Sequence, residues 1–295
     1  MGKVSVLIIN YNTFILTSNC IRSVIKHTQL PDYEIIVVDN ASTERDPKEF
    51  LIEFPTIKLI QSTKNGGFAA GNNLGIEQAS GEYILLLNSD TILEEDAISK
   101  TLTYLQTQRN VGMVGCKMVF PDGKIQYTAR KFRSIKWELL DLFRFIPFCL
   151  TYKKRSRLML GKYFRHDESL EADWLNGAFL LFDKNLLENF PQKKLDDRFF
   201  MYGEDQLWCE QLKKLDYRNH FFAGTSIIHI NSGSTDYKKQ IKLRQIMMKH
   251  ELVIMAERKG KGLYYFFFKI IFVTKESFRN FMKRIYFKMT GKLIR

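Results

Sequence analysis

The sequence is short of cysteine, of acids relative to bases, and of long apolar runs. Its four cysteines, Cys20, Cys116, Cys149 and Cys209, lie far apart in 295 residues and form no C-x-x-C pair. That spacing argues against a disulfide framework or a cysteine zinc site and fits a reducing compartment. No apolar run reaches the ~18–20 residues that span a bilayer. The apolar opening, residues 4–9, is brief and lacks a small-residue cleavage site, so the chain is expected to be non-secreted. There is no internal repeat, no low-complexity linker, and no G-x-G-x-x-G after the first strand, which disfavours a nicotinamide dehydrogenase. With 32 acids against 45 bases the formal net charge is +13, so an anionic partner is expected: nucleic acid, a nucleotide substrate or an acidic membrane surface. No nucleic-acid module is recognisable, and nucleic acid is not expected among the partners.

What is there, 45% hydrophobic and 26% charged residues, is ordinary for a globular protein. Val4-Ser5-Val6-Leu7-Ile8-Ile9 reads as a first buried strand, ending at Asn10-Tyr11-Asn12. Ile21, Val24 and Ile25 at helical spacing predict a helix over 17–26. Residues 34–38 form a second strand, stopped by the turn and cap formers Asp39-Asn40-Ala41-Ser42-Thr43. A weaker strand over 57–60, the turn Asn65-Gly66-Gly67 and a helix over 69–79 follow. Tyr83-Ile84-Leu85-Leu86-Leu87 is apolar without interruption, as a central parallel strand is. A helix over 95–108 and a strand over 111–116 complete the alternation. Such a pattern predicts right-handed βαβ units, a mostly parallel sheet and an α/β fold flanked by helices. From about residue 125 the alternation fails. Residues 130–165 are rich in Arg and Lys, interleaved with Trp137, Leu142, Phe143, Phe145 and Ile146. Apolar structure resumes over 174–182, a helix is predicted over 204–215, and a basic helical tail begins near 240.

Ligands of open α/β sheets bind at the carboxyl ends of the strands, where Asp39 and Asp90 stand. Asp39 suits a ribose hydroxyl or a base edge, and would equally cap the next helix. In Asn65-Gly66-Gly67-Phe68-Ala69-Ala70-Gly71-Asn72 the glycines permit close backbone approach, and a helix N-terminus offers free N–H groups to an anion.

The segments VSVLIINYN, IIVVDNAST, NGGFAAGNNLGI, YILLLNSD, WLNGAFLLF, FFMYGEDQLW and HINSGS stand in this order across residues 3–235. Together they resemble the inverting family 2 glycosyltransferases of the GT-A fold, especially the rhamnosyltransferase-like branch. The resemblance implies a Rossmann-like GT-A domain that moves a sugar from a nucleotide-diphosphate sugar, of dTDP-rhamnose or UDP-hexose type. The acceptor would be a hydroxyl of a glycan or lipid-linked molecule in cell-surface polysaccharide synthesis. Donor contacts are implied at Asn10, Tyr11, Asn12, Asp39, Asn40, Gly66, Phe68, Asn72, Asn88, Ser89 and Asp90. The family's metal-binding D-x-D falls on Asn88-Ser89-Asp90, leaving Asp90 as the main carboxylate for a divalent cation, Mg or Mn. His229 is placed near the diphosphate, as a second metal ligand or as a structural histidine. Asp205 is implied as general base and Glu204 in acceptor binding or support, although two acids also favour a helix's first turn without any chemistry. Leu207 and Gln211 stand where the family often has Asp and Arg. Trp174, Asn176 and Gly177 match the floor of the sugar pocket, where Trp174 stacks on a sugar or packs in the core, with Asp173 beside it. The competing reading is a catalytically inactive nucleotide-sugar-binding or scaffold protein of the same fold.

The expected organisation is a nucleotide-sugar half over 1–125, an acceptor-binding and catalytic half over 126–240, and a basic aromatic helical tail over 241–295. Residues 249–295 hold twelve Lys and Arg against three Glu. Basic residues interleaved with Phe266, Phe267, Phe278 and Phe281 read as an interfacial helix pair on an anionic membrane, or as an aromatic face packed on the protein. Residues 137–150 would be a second contact with membrane or lipid-linked acceptor. The expected location is cytoplasmic, peripheral on the inner face of the cell membrane. The oligomeric state is left open, a homodimer included.

Overall fold

The structure, a computed structural model, describes residues 2–231 and 237–290. Strands and helices alternate as β1 (Val4–Asn10), α1 (Phe14–His27), β2 (Tyr33–Asp39), α2 (Glu49–Glu53), β3 (Lys58–Gln61), α3 (Gly67–Gln78) and β4 (Tyr83–Asn88). Then come β5 (Thr91–Leu93), α4 (Ala97–Thr107), β6 (Val111–Val119), β7 (Ile125–Gln126) and β8 (Ala129–Arg130). Three helices, α5 (Ile135–Leu142), α6 (Phe145–Phe148) and α7 (Tyr152–Met159), precede β9 (Leu170–Ala172), β10 (Trp174–Leu175) and β11 (Phe179–Asp183). The chain continues through α8 (Glu204–Lys214), β12 (Arg218–His229), α9 (Tyr237–Lys259) and α10 (Leu263–Thr290). Two compact units result: Met1–Lys131 with Leu160–Asn231, and Phe132–Met159 with Ser232–Arg295.

The first unit is built on a sheet of order β3-β2-β1-β4-β11-β6-β12-β5. β1 to β4 are mutually parallel and β6 is parallel to β12, while β11 runs against both of its neighbours. This is the expected mostly parallel α/β sheet. Ile84, Leu85, Leu86 and Leu87 are buried on both faces of β4, each burial contributing about 1.5–3 kcal/mol. One face of β1, β2 and β4 (Val6, Ile8, Val37, Leu85, Leu87) packs on Phe14, Ile21 and Val24 of α1 and on Ile98 and Leu102 of α4. On the other face α3 approaches closely: a Cβ on Gly75 would stand 3.2–3.3 Å from Leu7 and Val38 side-chain carbons.

Element edges differ from expectation for local reasons. α1 starts at Phe14 rather than near 17 because Glu44 Oε1 accepts from its backbone N–H at 2.5 Å. The apolar stretch 174–182 holds two strands, β10 and β11, split by Asn176-Gly177-Ala178. β12 spans twelve residues. Its pairing with β6 shifts register twice, between Arg218 and His220 and between Phe222 and Ser226. Such bulges spoil the two-residue alternation that a sequence reading relies on.

In the second unit, residues 263–290 form one unbroken helix of 28 residues, not a pair, since no Gly or Pro interrupts them. Phe268, Phe272 and Met255 form its core, with Ile135, Met248 and Leu252 packed around them. Beside this core Lys275 is buried among carboxylates: it pairs with Glu138 and, at 3.0 Å, with Asp141. Arg279 reaches Asp141 at 2.6 Å, and Arg133 reaches Glu138 at 2.9 Å. Breaking one buried pair costs about 3–5 kcal/mol, which penalises any register of α10 on α5 that separates them. Among the described residues no helix is long and apolar enough to cross a membrane.

Candidate functional site

The parallel pairing brings the carboxyl ends of β1, β2, β4, β6 and β12 to one edge of the sheet, and β11 enters from that edge. Asn10 stands opposite Asp39 in register, and Asn88 opposite Ile9. Three clusters of side chains gather along this edge.

The first is at β1, β2 and α3. Asn10 Nδ2 donates to Asp39 Oδ1 at 2.7 Å and to Ser42 Oγ at 3.0 Å, and the Ser42 N–H donates to Asp39 Oδ2 at 3.0 Å. Asp39, 2% exposed, therefore braces the turn after β2 and retains lone pairs for further donors. Asn12, in a left-handed conformation, accepts from the Thr43 N–H, while Tyr11 stays 47% exposed. Asn40 Nδ2 donates to the Gly67 carbonyl and Asn72 Nδ2 to that of Phe68. The amide oxygens of Asn40 and Asn72 are buried without a hydrogen-bond partner.

The expected anion cradle at the start of α3 is partly spent. The Gly67 N–H donates to Asn65 Oδ1 at 2.9 Å and the Phe68 N–H to the Phe200 carbonyl at 3.1 Å. Gly67 has φ +89°, and a Cβ there would sit 2.1 Å from the Phe200 oxygen, so this entry to α3 admits no side chain.

The second cluster follows β4. The Asn88 N–H donates to the Ala178 carbonyl, its carbonyl accepts from Thr91 Oγ1, and Ser89 Oγ meets Thr13 Oγ1 at 3.2 Å. These contacts hold the turn that carries Asp90. Asp90 Oδ1 lies 3.2 Å from His229 Nε2 at the end of β12. His229 Nδ1 is 2.8 Å from Gln126 Oε1. The Ser232-Gly233-Ser234 end of the HINSGS segment lies outside the described residues.

The third cluster surrounds the start of α8, entered through Tyr202 and Gly203 at positive φ. Asp205 Oδ2 accepts from the Gly177 N–H at 2.9 Å and Oδ1 from the Gln206 N–H at 2.8 Å. Part of Asp205's surface is open, yet atoms crowd it, and this burial raises its pKa. The two N–H donors and the Arg130 charge pull the other way. Glu204 is 6% exposed with Oε2 unpartnered; burial, and secondly the charge of Asp205, raise its carboxyl well above the usual range. Phe68 stacks on Trp208 at 6.2 Å and lines the Gly177 position. Trp174 donates from Nε1 to the Lys131 carbonyl, and Arg130 stacks 5.2 Å above its ring. Asn176 Oδ1 accepts from the Ala178 N–H. Lys213 holds Asp173 at 2.5 Å, with Lys131 at 3.7 Å. Leu207 is buried, and Gln211 donates to Asp196.

A divalent cation fits the second cluster. Gln126 occupies the far nitrogen of His229, so Nε2 and an Asp90 oxygen face each other as a nitrogen–oxygen donor pair. Among the described residues no group of three or more His, Cys, Asp or Glu could hold a metal alone. Diphosphate oxygens would have to complete such a site, as is usual for Mg²⁺.

Gln126, Arg130 and Thr13 did not stand out in the sequence. Gln126 sits in a two-residue strand and Arg130 in a stretch dense with bases, so neither carries a spacing signal.

The sequence profile described as Glycosyl transferase family 2 matches residues 5–167. The O-antigen biosynthesis protein RfbC of Myxococcus xanthus is 31% identical over 127 residues, 42% of this chain and 10% of that protein. The glycosyltransferase GlyG of Streptococcus pneumoniae serotype 4 is 34% identical over 108 residues, covering 36% of this chain and 35% of its own length. A poly(ribitol-phosphate) beta-glucosyltransferase of Bacillus spizizenii is 36% identical over 101 residues, 32% of this chain and 16% of that protein. The chain thus spans only 10% to 35% of the length of these relatives. Among solved structures, the mannosyltransferase PcManGT of Pyrobaculum calidifontis, in complex with GDP-Man and Mn²⁺, superimposes with a TM-score of 0.61 at 17% identity. That match covers 90% of this chain and 67% of PcManGT. Residues 1–349 of TarS from S. aureus give 0.57 at 16% identity, covering 99% and 76%. At these identities the likeness is one of fold, the GT-A architecture.

Proposed function

Because the chain belongs to glycosyl transferase family 2, we propose that it moves a sugar, with inversion, from a nucleotide-diphosphate sugar to a hydroxyl of a glycan or lipid-linked acceptor. The donor would be of dTDP-rhamnose or UDP-hexose type, and the product a cell-surface polysaccharide. One observation carries this reading: Asn10–Asp39, Asp90–His229 and the Glu204–Asp205 start of α8 are gathered on one sheet edge. They supply what the reaction needs in turn, namely a nucleoside contact, a diphosphate site and a base.

Asp39 takes the nucleoside, since its carboxylate is fixed by Asn10 and Ser42 yet keeps lone pairs for ribose or base N–H and O–H groups. The buried amide oxygens of Asn40 and Asn72 are further acceptors beside the Gly67–Phe68 backbone. Asp90 and His229 Nε2 would hold Mg²⁺ or Mn²⁺, which when bound supplies positive charge against the leaving diphosphate. The Mn²⁺ in PcManGT supports that reading. Asp205 accepts the proton of the attacking hydroxyl, and Glu204, held protonated by its burial, donates a hydrogen bond to an acceptor oxygen. Trp174, with Asn176 and Gly177, borders the acceptor side.

Titration calorimetry with UDP, dTDP and GDP, with and without Mn²⁺, tests the donor half, and release of nucleoside diphosphate tests turnover. Asp39→Ala is expected to raise donor KM about tenfold or more, the loss of one charged hydrogen bond. An unchanged KM with only a lower Tm would reduce Asp39 to a turn brace. Binding without turnover over a panel of acceptors would favour a silent binding protein.

The second unit supports membrane association. Phe266, Phe267, Phe278 and Phe281 on α10 and Phe145 and Phe148 on α5–α6's side of the unit are exposed, the last two at 67% and 61%. Basic residues lie among them, which suits an anionic bilayer surface. Exchanging Phe278 and Phe281 for serine leaves the Lys275 cluster intact. It is expected to weaken binding to phosphatidylglycerol vesicles at least tenfold, since each aromatic face is worth about 1.5–3 kcal/mol when fully buried. Equal co-sedimentation of variant and wild type would end the proposal.

A further inference from the structure

Gln126 is buried, 7% exposed, on the short strand β7. β7 pairs with Met118 and Val119 at the end of β6, and β12 pairs with the same two residues through Ile227 and Ile228. Gln126 and His229 therefore flank one stretch of β6. The amide of Gln126 then meets His229 twice: Nε2 is 2.5 Å from the His229 carbonyl oxygen, and Oε1 is 2.8 Å from Nδ1 of the ring. Nε2 also lies 3.5 Å from the Val119 carbonyl.

The chemistry of these partners decides the orientation of the amide without reference to hydrogen positions. Carbonyl oxygens only accept, so the side facing Val119 and His229 must be the NH₂ group. The oxygen is left facing Nδ1, and that oxygen only accepts as well. Nδ1 must therefore carry a proton. In a neutral ring the remaining nitrogen, Nε2, then bears the lone pair, and it is this atom that stands 3.2 Å from Asp90 Oδ1. The opposite tautomer would set two acceptors against each other at 2.8 Å in a buried place, a worse conflict than the one at 3.2 Å. Metal-bound histidines commonly have their second nitrogen fixed by such a partner.

We propose that Gln126 is a positioning residue that fixes the Nδ1–H tautomer of His229 and aims the Nε2 lone pair at the space beside Asp90. The consequence for divalent-cation affinity rests on the reading of Asp90 and His229 as the cation's ligands; the tautomer itself does not.

Multiple-bond ¹H–¹⁵N NMR of the histidine rings, on the full chain without metal at alkaline pH, reads the tautomer directly. The expected spectrum shows His229 with Nδ1 protonated and Nε2 bare; a ring protonated at Nε2 would overturn the proposal, whether or not any variant folds. In Gln126→Leu, which can neither accept nor donate, His229 is expected to turn to the Nε2–H form and pair with Asp90. Mn²⁺ binding followed by electron paramagnetic resonance, with UDP present, should weaken about 10–100-fold. A folded Gln126→Leu protein with wild-type Mn²⁺ affinity, while Asp90→Ala and His229→Ala weaken it, refutes the role of Gln126 alone. Unchanged Mn²⁺ affinity in all three variants refutes the cation site itself.

Discussion

Asp205→Asn is expected to lower kcat by about 10²–10⁴-fold, the usual contribution of a placed general base, with donor affinity nearly unchanged. Asparagine preserves the shape of the side chain but keeps only one of the two oxygens that accept from the Gly177 and Gln206 N–H groups, so a lower Tm is expected beside the kinetic effect. What it loses is the ability to take a proton. A fall in kcat with an equal fall in kcat/KM is the signature of an interaction made only in the transition state. Burial raises the pKa of Asp205, and a base works only when ionised. The acid limb of the wild-type profile should therefore lie above the ~3.9 of an ordinary aspartate. Glu204→Gln copies the protonated form of its parent and should keep kcat within about tenfold near neutrality, with the larger change in acceptor KM. Its stability carries a second sign. A carboxyl whose folded pKa is raised loses stability as pH climbs from its unfolded value through its folded one. The Tm advantage of Glu204→Gln over wild type should thus grow toward alkaline pH. Wild-type kcat in Asp205→Asn, with activity lost in Glu204→Gln, would exchange the two roles.

The half of the fold nearest the N-terminus was legible because burial on both faces leaves an unbroken apolar run, as in Ile84-Leu85-Leu86-Leu87. A run of that kind can end at a sheet edge only in something polar, here Asn88-Ser89-Asp90. The placing of Asp39 and Asp90 on one edge was legible for the same reason: Asp39 ends β2, Asp90 follows β4, and parallel pairing leaves those ends together. What the sequence hid was whatever depends on pairing across the chain. Gln126 meets His229 across 103 positions, through two strands that share β6 as a neighbour. Arg130 acts on Asp205 and Trp174 because β8 pairs with β10. Two N–H groups at the start of α3 pointed, from sequence, to an anion. In the structure Asn65 and the distant Phe200 carbonyl take them. In the tail, amphipathic spacing shows which face is apolar, not what covers it. Phe268 and Phe272 are covered, while Phe278 and Phe281 are not.

Asp90→Ala should remove the cation-dependent part of nucleotide binding and leave the rest. The turn that carries residue 90 is held by groups the substitution does not touch: Thr91 Oγ1 on the Asn88 carbonyl, Ser89 against Thr13, and the Ile230 N–H on the carbonyl of residue 90 itself. The fold around the edge is therefore expected to survive, and a small change in Tm checks this. With Asp90 and His229 as the candidate protein donors in the cluster among the described residues, each supplies about half of their share, and loss of either is a large loss. Mn²⁺ affinity in the presence of UDP is expected to fall by on the order of 10²-fold, about 2.7 kcal/mol. With chelator present, variant and wild type should bind UDP equally, because Asp39 and its neighbours are untouched. If both residues hold one ion, the effects of Asp90→Ala and His229→Ala should couple: the loss in the double variant should depart from the sum of the two single losses. Strict additivity would mean that the two side chains act at separate places. Calorimetric affinity for UDP with Mn²⁺ that equals wild type in Asp90→Ala would remove the diphosphate from this corner of the edge altogether.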